Sequence, residues 1–365
     1  MSEITPYRVL SLDGGGIRGL YTASLLHQLS LRFSRLNGDP HKGTLDLGAK
    51  FDLIVGTSTG SILAMALAAG ASLEQVIALY RTEGANIFTK QMPLQHGCLS
   101  DKIRALLWTL LRARSPANHS QPLRAALEKV LGDENFDELY KRRKIAVCIP
   151  TINAETQKAW VFKTAHGPRL TRDNHYKLVD ACMASAAAPI YFPLHGVGSP
   201  EPGVSATTWF VDGGLWANDP VLIGLAEALE FAPADRPIHI LSVGTGGAPK
   251  AKPITKHESK RGVLGWKGGV DIVGMSLEAQ ASVVPYLASR FAKSMGGQVT
   301  MHRLADPITG AEEAGYLALD AAGEKSLNLL ESMAQRATDL NYSALTTGKV
   351  DEATSRAIRD MFSNL

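Results

Sequence analysis

The sequence predicts a three-layer α/β/α fold built on a mostly parallel central sheet. Short and nearly uninterrupted apolar runs, such as 8–12, 51–55 and 238–243, have the character of strands buried on both faces. Segments with apolar residues at helical spacing stand between these runs. This alternation is typical of a parallel sheet that is covered by helices on both sides.

The elements follow one another in a regular order. The first strand, 8–12, stops at Asp13 and a glycine cluster, and leucines and alanines then recur at helical spacing from Leu20 to Leu31. The second strand, 51–55, leads through a glycine-flanked turn into an apolar helix over 61–69. Further along the chain we predict short strands at 144–149, 160–162, 209–211 and 238–243, and helices at 73–82, 179–187, 221–231, 270–295 and 325–340.

The chain shows no internal repeat and no linker rich in proline, glycine or serine, so we predict one domain over residues 1–365. Its catalytic blocks are expected within 8–220. A mostly helical insertion is expected at about 86–140, and a C-terminal helical region at about 262–365.

Composition narrows the possible partners and the compartment. Hydrophobic residues make up 45% of the 365 positions, and the net charge of +3 is too small to indicate nucleic acid but compatible with an anionic membrane surface. Three widely spaced cysteines favour a reducing cytoplasm over a disulfide framework or a zinc site. No signal peptide is recognised at the start, and the longest apolar run, 62–71, is too short to span a bilayer. Any membrane role is therefore predicted to be peripheral.

Residues 56–60, Gly-Thr-Ser-Thr-Gly, match the G-x-S-x-G pattern of a serine nucleophile. The pattern requires a sharp, strained strand-to-helix turn, which lifts the hydroxyl of Ser58 above the sheet and leaves no room for side chains at Gly56 and Gly60. The pattern alone is weak evidence for a nucleophile, because a chain with 34 glycines can match it by chance. An apolar strand before it and a helix of small residues after it supply the context that the pattern predicts.

The loop after the first strand, 13–19, opens a helix and could direct several backbone N–H groups at one oxyanion. Gly14, Gly16 and Gly19 also match G-x-G-x-x-G, the dinucleotide-binding fingerprint. That interpretation demands a second strand ending in an acidic residue about 20 positions further on. The next strand here ends in the serine turn instead, so the hydrolase interpretation is favoured.

The candidate base is Asp212, which ends a strand and precedes Gly213 and Gly214, two glycines that let the chain turn sharply. Strand-end carboxylates in parallel α/β folds point into the crevice that would hold the serine turn. The alternative is an ordinary surface Asp-Gly turn. A triad histidine would have to be His239, His257 or His302, and none stands in a supporting pattern.

Four blocks in one order resemble the patatin-like phospholipase family: 13–19, 56–60, 184–192 and 212–220. Family members often have asparagine where this chain has Asp219. The resemblance implies a patatin-like fold, a Ser58–Asp212 dyad without histidine, and oxyanion-hole amides from Gly14, Gly15 and Gly16. It also implies that Arg18 fixes the loop or contacts the phosphate, that acyl esters of phospholipids are cleaved, and that no metal or cofactor is required.

The remaining chain resembles one bacterial branch of the family, the phospholipase effectors of anti-phage systems. These are switched on by cyclic dinucleotides that a partner nucleotidyltransferase makes. The resemblance implies a cytoplasmic enzyme that acts peripherally on the inner membrane, with gating by homo-oligomerisation as an option. The alternatives are an unregulated lysophospholipase or general lipid acyl hydrolase and, in a different class, a nucleotide-binding module in which Ser58 is only structural.

Two segments are candidates for contact with lipid or for a lid. Residues 101–114 form a basic amphipathic pattern that contains Trp108, compatible with a helix in a membrane interface or with one packed on the sheet. Residues 262–275, with Trp266 among glycines, could be a mobile lid or a surface loop. One of the two is hypothesised to block the dyad at rest.

Overall fold

The computed structural model describes residues 5–36, 45–93, 99–112, 114–200, 203–246, 254–256, 259–263, 265–310 and 312–362. These residues form one eight-stranded sheet in the order β5-β6-β3-β2-β1-β7-β8, and β4 also pairs with β3. The strands are β1 (Tyr7–Leu12), β2 (Leu53–Gly56), β3 (Ala146–Asn153), β4 (Lys158–Lys163), β5 (His195–Gly198), β6 (Thr207–Asp212), β7 (Ile238–Val243) and β8 (Val299–Arg303).

Helices cover both faces of this sheet. They are α1 (Gly19–Leu36), α2 (Thr59–Ala69), α3 (Leu73–Ile87), α4 (Leu99–Leu111), α5 (Gln121–Leu131), α6 (Phe136–Arg143), α7 (Leu178–Ser185), α8 (Gly214–Ala217), α9 (Val221–Phe231), α10 (Val270–Ser294), α11 (Glu324–Thr346) and α12 (Glu352–Met361). Alternate residues of a strand face opposite sides, so Leu10 and Ile54 join the larger core with α1, α2 and α11, whereas Val9 and Val55 join a smaller core with α9 and α10. The predicted three-layer fold is confirmed.

The five strands β3, β2, β1, β7 and β8 run parallel, while β4, β5 and β6 are antiparallel to their neighbours. The predicted mostly parallel sheet is therefore confirmed. Asp212, however, does not end a parallel strand as predicted, because its strand β6 runs antiparallel to β3. Strand β3 continues beyond the carboxyl end of β2 and there pairs Thr151 with Asp212. The carboxylate thus reaches the crevice because β3 is longer than β2.

Two strands lie where none is predicted from sequence. Strand β5 is a four-residue element with two glycines, and β8 is a half-buried strand that follows Gly296 and Gly297. Strand β8 falls within the region predicted to be helical and extends the sheet beside β7. The stretch 86–140, predicted to be a helical insertion, contains α4, α5 and the start of α6. Among the described helices, none is long and apolar enough to cross a membrane.

Candidate active site

Ser58 lies on a strained turn between β2 and α2. Its φ of 53° and ψ of −121° are outside the regions that a side chain favours, and it is followed at once by the first residue of α2. The turn tolerates only glycine on either side. A Cβ on Gly56 would lie 2.1 Å from the carbonyl oxygen of Gly60, and one on Gly60 would lie 2.3 Å from that of Leu12. The predicted nucleophile turn therefore has the geometry that its sequence pattern requires.

The Ser58 hydroxyl donates a hydrogen bond of 2.8 Å to Oδ2 of Asp212, and the backbone N–H of Gly214 donates one of 2.6 Å to Oδ1. Both side chains are almost fully buried. Burial raises the pKa of Asp212 from 3.8 to about 7, and the hydrogen bonds from Gly214 and Ser58 partly oppose that rise. A carboxylate with this pKa accepts a proton from a hydroxyl far better than a surface aspartate does.

Ser185, at the end of α7, connects the serine turn to the strand that faces Asp212. Its hydroxyl accepts the backbone N–H of Ser58 at 2.9 Å and donates to the carbonyl of Pro150 at 2.6 Å. The same segment accepts the N–H groups of Asp212 and Gly213 through the carbonyls of Ala187 and Ser185. No role for Ser185 is predicted from the sequence, in which its position within the 184–192 block is the one signal that points to it.

The glycine loop after β1 lies against the serine turn. The N–H of Gly14 donates to the carbonyl of Asn218 at 2.9 Å, so it is not available to an oxyanion in this structure. Gly15 and Gly16 line the same cleft as Ser58, and within the described residues their N–H groups have no partner. Gly16 has a φ of +59°, and a Cβ there would lie 2.2 Å from the carbonyl oxygen of Leu319.

Arg18 is buried beneath the glycine loop. Its Nε lies 3.4 Å from the carbonyl oxygen of Gly15, and its Nη1 lies 3.3 Å from a carboxylate oxygen of Glu278 on α10. Of the two roles that the resemblance implies for Arg18, these contacts fit the fixing of the loop. They also connect the loop to α10, whose Gln280 bonds to the backbone of both Gly214 and Asn218.

A buried charge cluster joins the glycine loop and the segment after Asp212 to the C-terminal part of the chain. Arg303, on β8, donates to Asp13 at 2.6 Å, to Asp219 at 3.1 Å and to the hydroxyl of Ser242 at 2.8 Å. Burial raises the pKa of both carboxyl groups, and the Arg303 guanidinium opposes this rise. Asp219 thus has a charged partner that is not predicted from the sequence.

Ser58 and Asp212 line an apolar cleft that is partly open to solvent. Gly15 and Gly16 also line this cleft, and most of the remaining lining consists of aliphatic and aromatic side chains: Ile17, Ile62, Leu79, Tyr80, Ile87, Phe88, Leu123, Tyr191, Phe192, Leu215, Val273, Leu277 and Leu319. Such a lining favours the binding of a long acyl chain, because the chain's apolar surface is then removed from water.

The competing interpretations find no support in this geometry. His239 and His302 lie on strands β7 and β8, neither lines the cleft, and His257 lies outside the described residues. The strand after α1 ends in the serine turn, so the described residues place no acidic strand end where a dinucleotide ribose would bind.

A three-layer α/β fold with a buried serine and carboxylate in an apolar cleft suits a lipid acyl hydrolase. The family described as patatin-like phospholipase matches residues 10–225, and that match covers more than half of the sequence. The chain belongs to the patatin-like phospholipase family.

Characterised relatives match well beyond the catalytic blocks. A cGAMP-activated phospholipase of Vibrio cholerae is 34% identical over 334 residues, which cover 89% of this chain and 88% of its own. One of Escherichia coli is 31% identical over 347 residues, 92% and 89% of the two chains. A cUMP-AMP-activated phospholipase of Escherichia coli is 28% identical over 253 residues, 67% of each chain. The predicted family and the predicted phospholipase activity are confirmed by these matches.

Proposed function

We propose that this protein hydrolyses the fatty acyl esters of membrane phospholipids with Ser58 as nucleophile and Asp212 as general base. The observation that carries the proposal is the 2.8 Å hydrogen bond from the Ser58 hydroxyl to the Asp212 carboxylate, both of which line an apolar cleft. The strained backbone of Ser58 adds support, because such strain concentrates at functional sites.

The chemistry is a two-step acyl transfer. As Ser58 Oγ bonds to the ester carbonyl carbon, its proton passes to Oδ2 of Asp212, and the N–H groups of Gly15 and Gly16 stabilise the oxyanion. The carbon–oxygen bond to the lysophospholipid then breaks, and Asp212 returns the proton to the departing oxygen. Water, deprotonated by the same carboxylate, cleaves the acyl-serine ester to release the fatty acid and the free hydroxyl.

The pH dependence of the reaction follows from the raised pKa of Asp212. The base must be ionised, and its pKa is about 7, so the protonated and inactive form dominates below that pH. We expect the rate to fall about tenfold per pH unit below about pH 7 and to level off above it. Initial rates on a short-chain p-nitrophenyl ester between about pH 5 and pH 9 check this, and a flat profile over that range would contradict it.

We further propose that a cyclic dinucleotide made by a partner nucleotidyltransferase activates the enzyme, as in anti-phage defence. The support is that three relatives are named for activation by cGAMP or cUMP-AMP, two of which match about nine-tenths of the chain. Activation by such a messenger implies that the enzyme acts in the cytoplasm and reaches the inner membrane peripherally.

The whole chain, 1–365, is proposed to act as one domain, since β8 extends the sheet that carries the dyad. A homo-oligomer is proposed as the gated form.

Fatty-acid release from phospholipid vesicles tests the activity and the switch together. Wild type and Ser58→Ala are each assayed alone and with cGAMP, cUMP-AMP or cyclic di-GMP. We expect release by wild type with one nucleotide and none by Ser58→Ala. Release without any nucleotide would favour the unregulated lipid acyl hydrolase, and equal release by Ser58→Ala would exclude Ser58 as the nucleophile. Nucleotide binding without ester hydrolysis would favour the nucleotide-binding module.

A further inference from the structure

Helix α4 has an apolar face that is exposed. Its apolar side chains at i, i+3, i+4, i+7 and i+8 are between 40% and 70% exposed: Ile103, Leu106, Leu107, Leu110 and Leu111. The opposite face is anchored, because Ala105 and Trp108 are buried and the indole N–H donates to the carbonyl of Lys90 at 3.0 Å. The exposed leucines are therefore not the face that attaches α4 to the protein.

Helix α4 packs against segments that adjoin the cleft. Trp108 bonds to the segment that follows Phe88, a cleft residue. Thr109 lies beside Gly268, in the 3-10 helix Lys267–Gly269 that leads directly into α10. On the first turns of α10, Val273 lines the cleft, while Ile272 and Met275 are more than half exposed. Helix α4 and the start of α10 thus lie next to one another, and α10 contributes directly to the cleft lining.

The charge of the surrounding chain selects among possible partners. Asp101 is the one acidic residue between Glu83 and Glu128, whereas six basic residues lie in the same stretch. Arg104 is exposed at the edge of the apolar face. Apolar side chains bordered by cationic ones are complementary to a bilayer whose surface carries anionic headgroups.

We propose that the exposed face of α4, together with Ile272 and Met275, docks the protein on an anionic phospholipid bilayer and holds the cleft against it. The proposal rests on the proposed phospholipase function for its biological meaning, but the docking can be measured without catalysis. Insertion of the leucines to the depth of the acyl chains would let a lipid leave the bilayer and enter the cleft without crossing water.

The test compares two triple variants in a Ser58→Ala background, which removes hydrolysis from the measurement. The first, Leu107→Gln/Leu110→Gln/Leu111→Gln, changes the proposed face, and glutamine keeps a good helix propensity. The matched control, Leu36→Gln/Leu229→Gln/Leu340→Gln, changes three similarly exposed leucines on α1, α9 and α11. Co-sedimentation uses vesicles of phosphatidylglycerol with phosphatidylethanolamine, and vesicles of phosphatidylcholine, with and without cGAMP.

We expect the parent and the control to bind the anionic vesicles, and the α4 variant to bind them about tenfold more weakly or less. With Ser58 restored, the α4 variant should lose vesicle hydrolysis but cleave a water-soluble short-chain ester within about twofold of wild type, since the dyad is untouched. Absence of parent binding under every condition, or equal loss in the control, would overturn the proposal.

Light scattering on the same variants tests whether a second copy of this chain, instead of a bilayer, occupies the α4 face. If the α4 variant turns an oligomer into a monomer and its vesicle binding is unchanged, the face is an interface between copies of this chain and the docking proposal fails. Failure of the phospholipase function would look different. The protein with Ser58 intact would hydrolyse neither the vesicle phospholipid nor the short-chain ester. Binding of the Ser58→Ala protein to vesicles would be unchanged.

Discussion

Replacing Asp212 by asparagine is expected to lower ester hydrolysis by about 10³-fold, within the range that positioned general bases contribute. The amide has the size and shape of the carboxyl group, and its oxygen can still accept the N–H of Gly214. It cannot take the proton of Ser58, whose hydroxyl has the Asp212 carboxylate as its hydrogen-bond acceptor. Hydrolysis of a short-chain ester above about pH 7 measures the effect, because the wild-type base is then ionised.

A stability measurement separates this loss from unfolding. Burial raises the folded-state pKa of Asp212 to about 7, so its ionisation costs stability as the pH rises through that value. The neutral asparagine avoids this cost. Asp212→Asn is therefore expected to melt at or above the temperature of wild type, with the larger gain at about pH 8 than at about pH 5.

Non-additivity provides the control for the dyad. Residues that act as one unit lose their joint effect when either is removed, so Ser58→Ala/Asp212→Asn should be no slower than Ser58→Ala alone. A further loss in the double variant, or full activity of Asp212→Asn, would show that Asp212 is not the base of Ser58.

Sequence reasoning succeeds where the chemistry is local. The serine turn is predictable because Gly56 and Gly60 are required within a few residues of Ser58. The fold class is predictable for a related reason, since strands buried on both faces are apolar throughout. Asp212 is predicted to face the serine turn, and in the structure it contacts Ser58. The prediction assumed a parallel strand, whereas Asp212 ends the antiparallel strand β6.

Sequence reasoning fails where a function depends on a distant partner. Three consecutive glycines look equivalent in the loop, yet the Gly14 N–H is engaged by a carbonyl 204 positions away, that of Asn218. Likewise, β8 has a weak strand pattern, because it is short, half-buried and preceded by two glycines. Because β8 is not predicted, nothing in the sequence indicates that Arg303 lies beside Asp13 and Asp219.

Replacing Arg303 by methionine is expected to destabilise the protein by about 3–5 kcal/mol, because it leaves Asp13 and Asp219 buried without a positive partner. Urea unfolding at about pH 8 measures this. The loss should be smaller at about pH 6, since burial raises both carboxyl pKa values and the protonated groups no longer need the guanidinium. Equal destabilisation at both pH values would contradict the electrostatic explanation.

Two further variants determine what Arg303 does for the site. Arg32→Met removes an exposed pair with Asp339 and should cost under about 1 kcal/mol, as surface pairs do. Arg303→Met/Asp219→Asn removes one of the stranded charges and should recover part of the stability. Asp13 begins the glycine loop and Asp219 follows the Asp212 segment, so Arg303→Met should also lower ester hydrolysis. The double variant should regain part of that activity. A rescue of stability without a rescue of activity would mean that the guanidinium itself sets the loop geometry, so that charge balance alone is insufficient for catalysis.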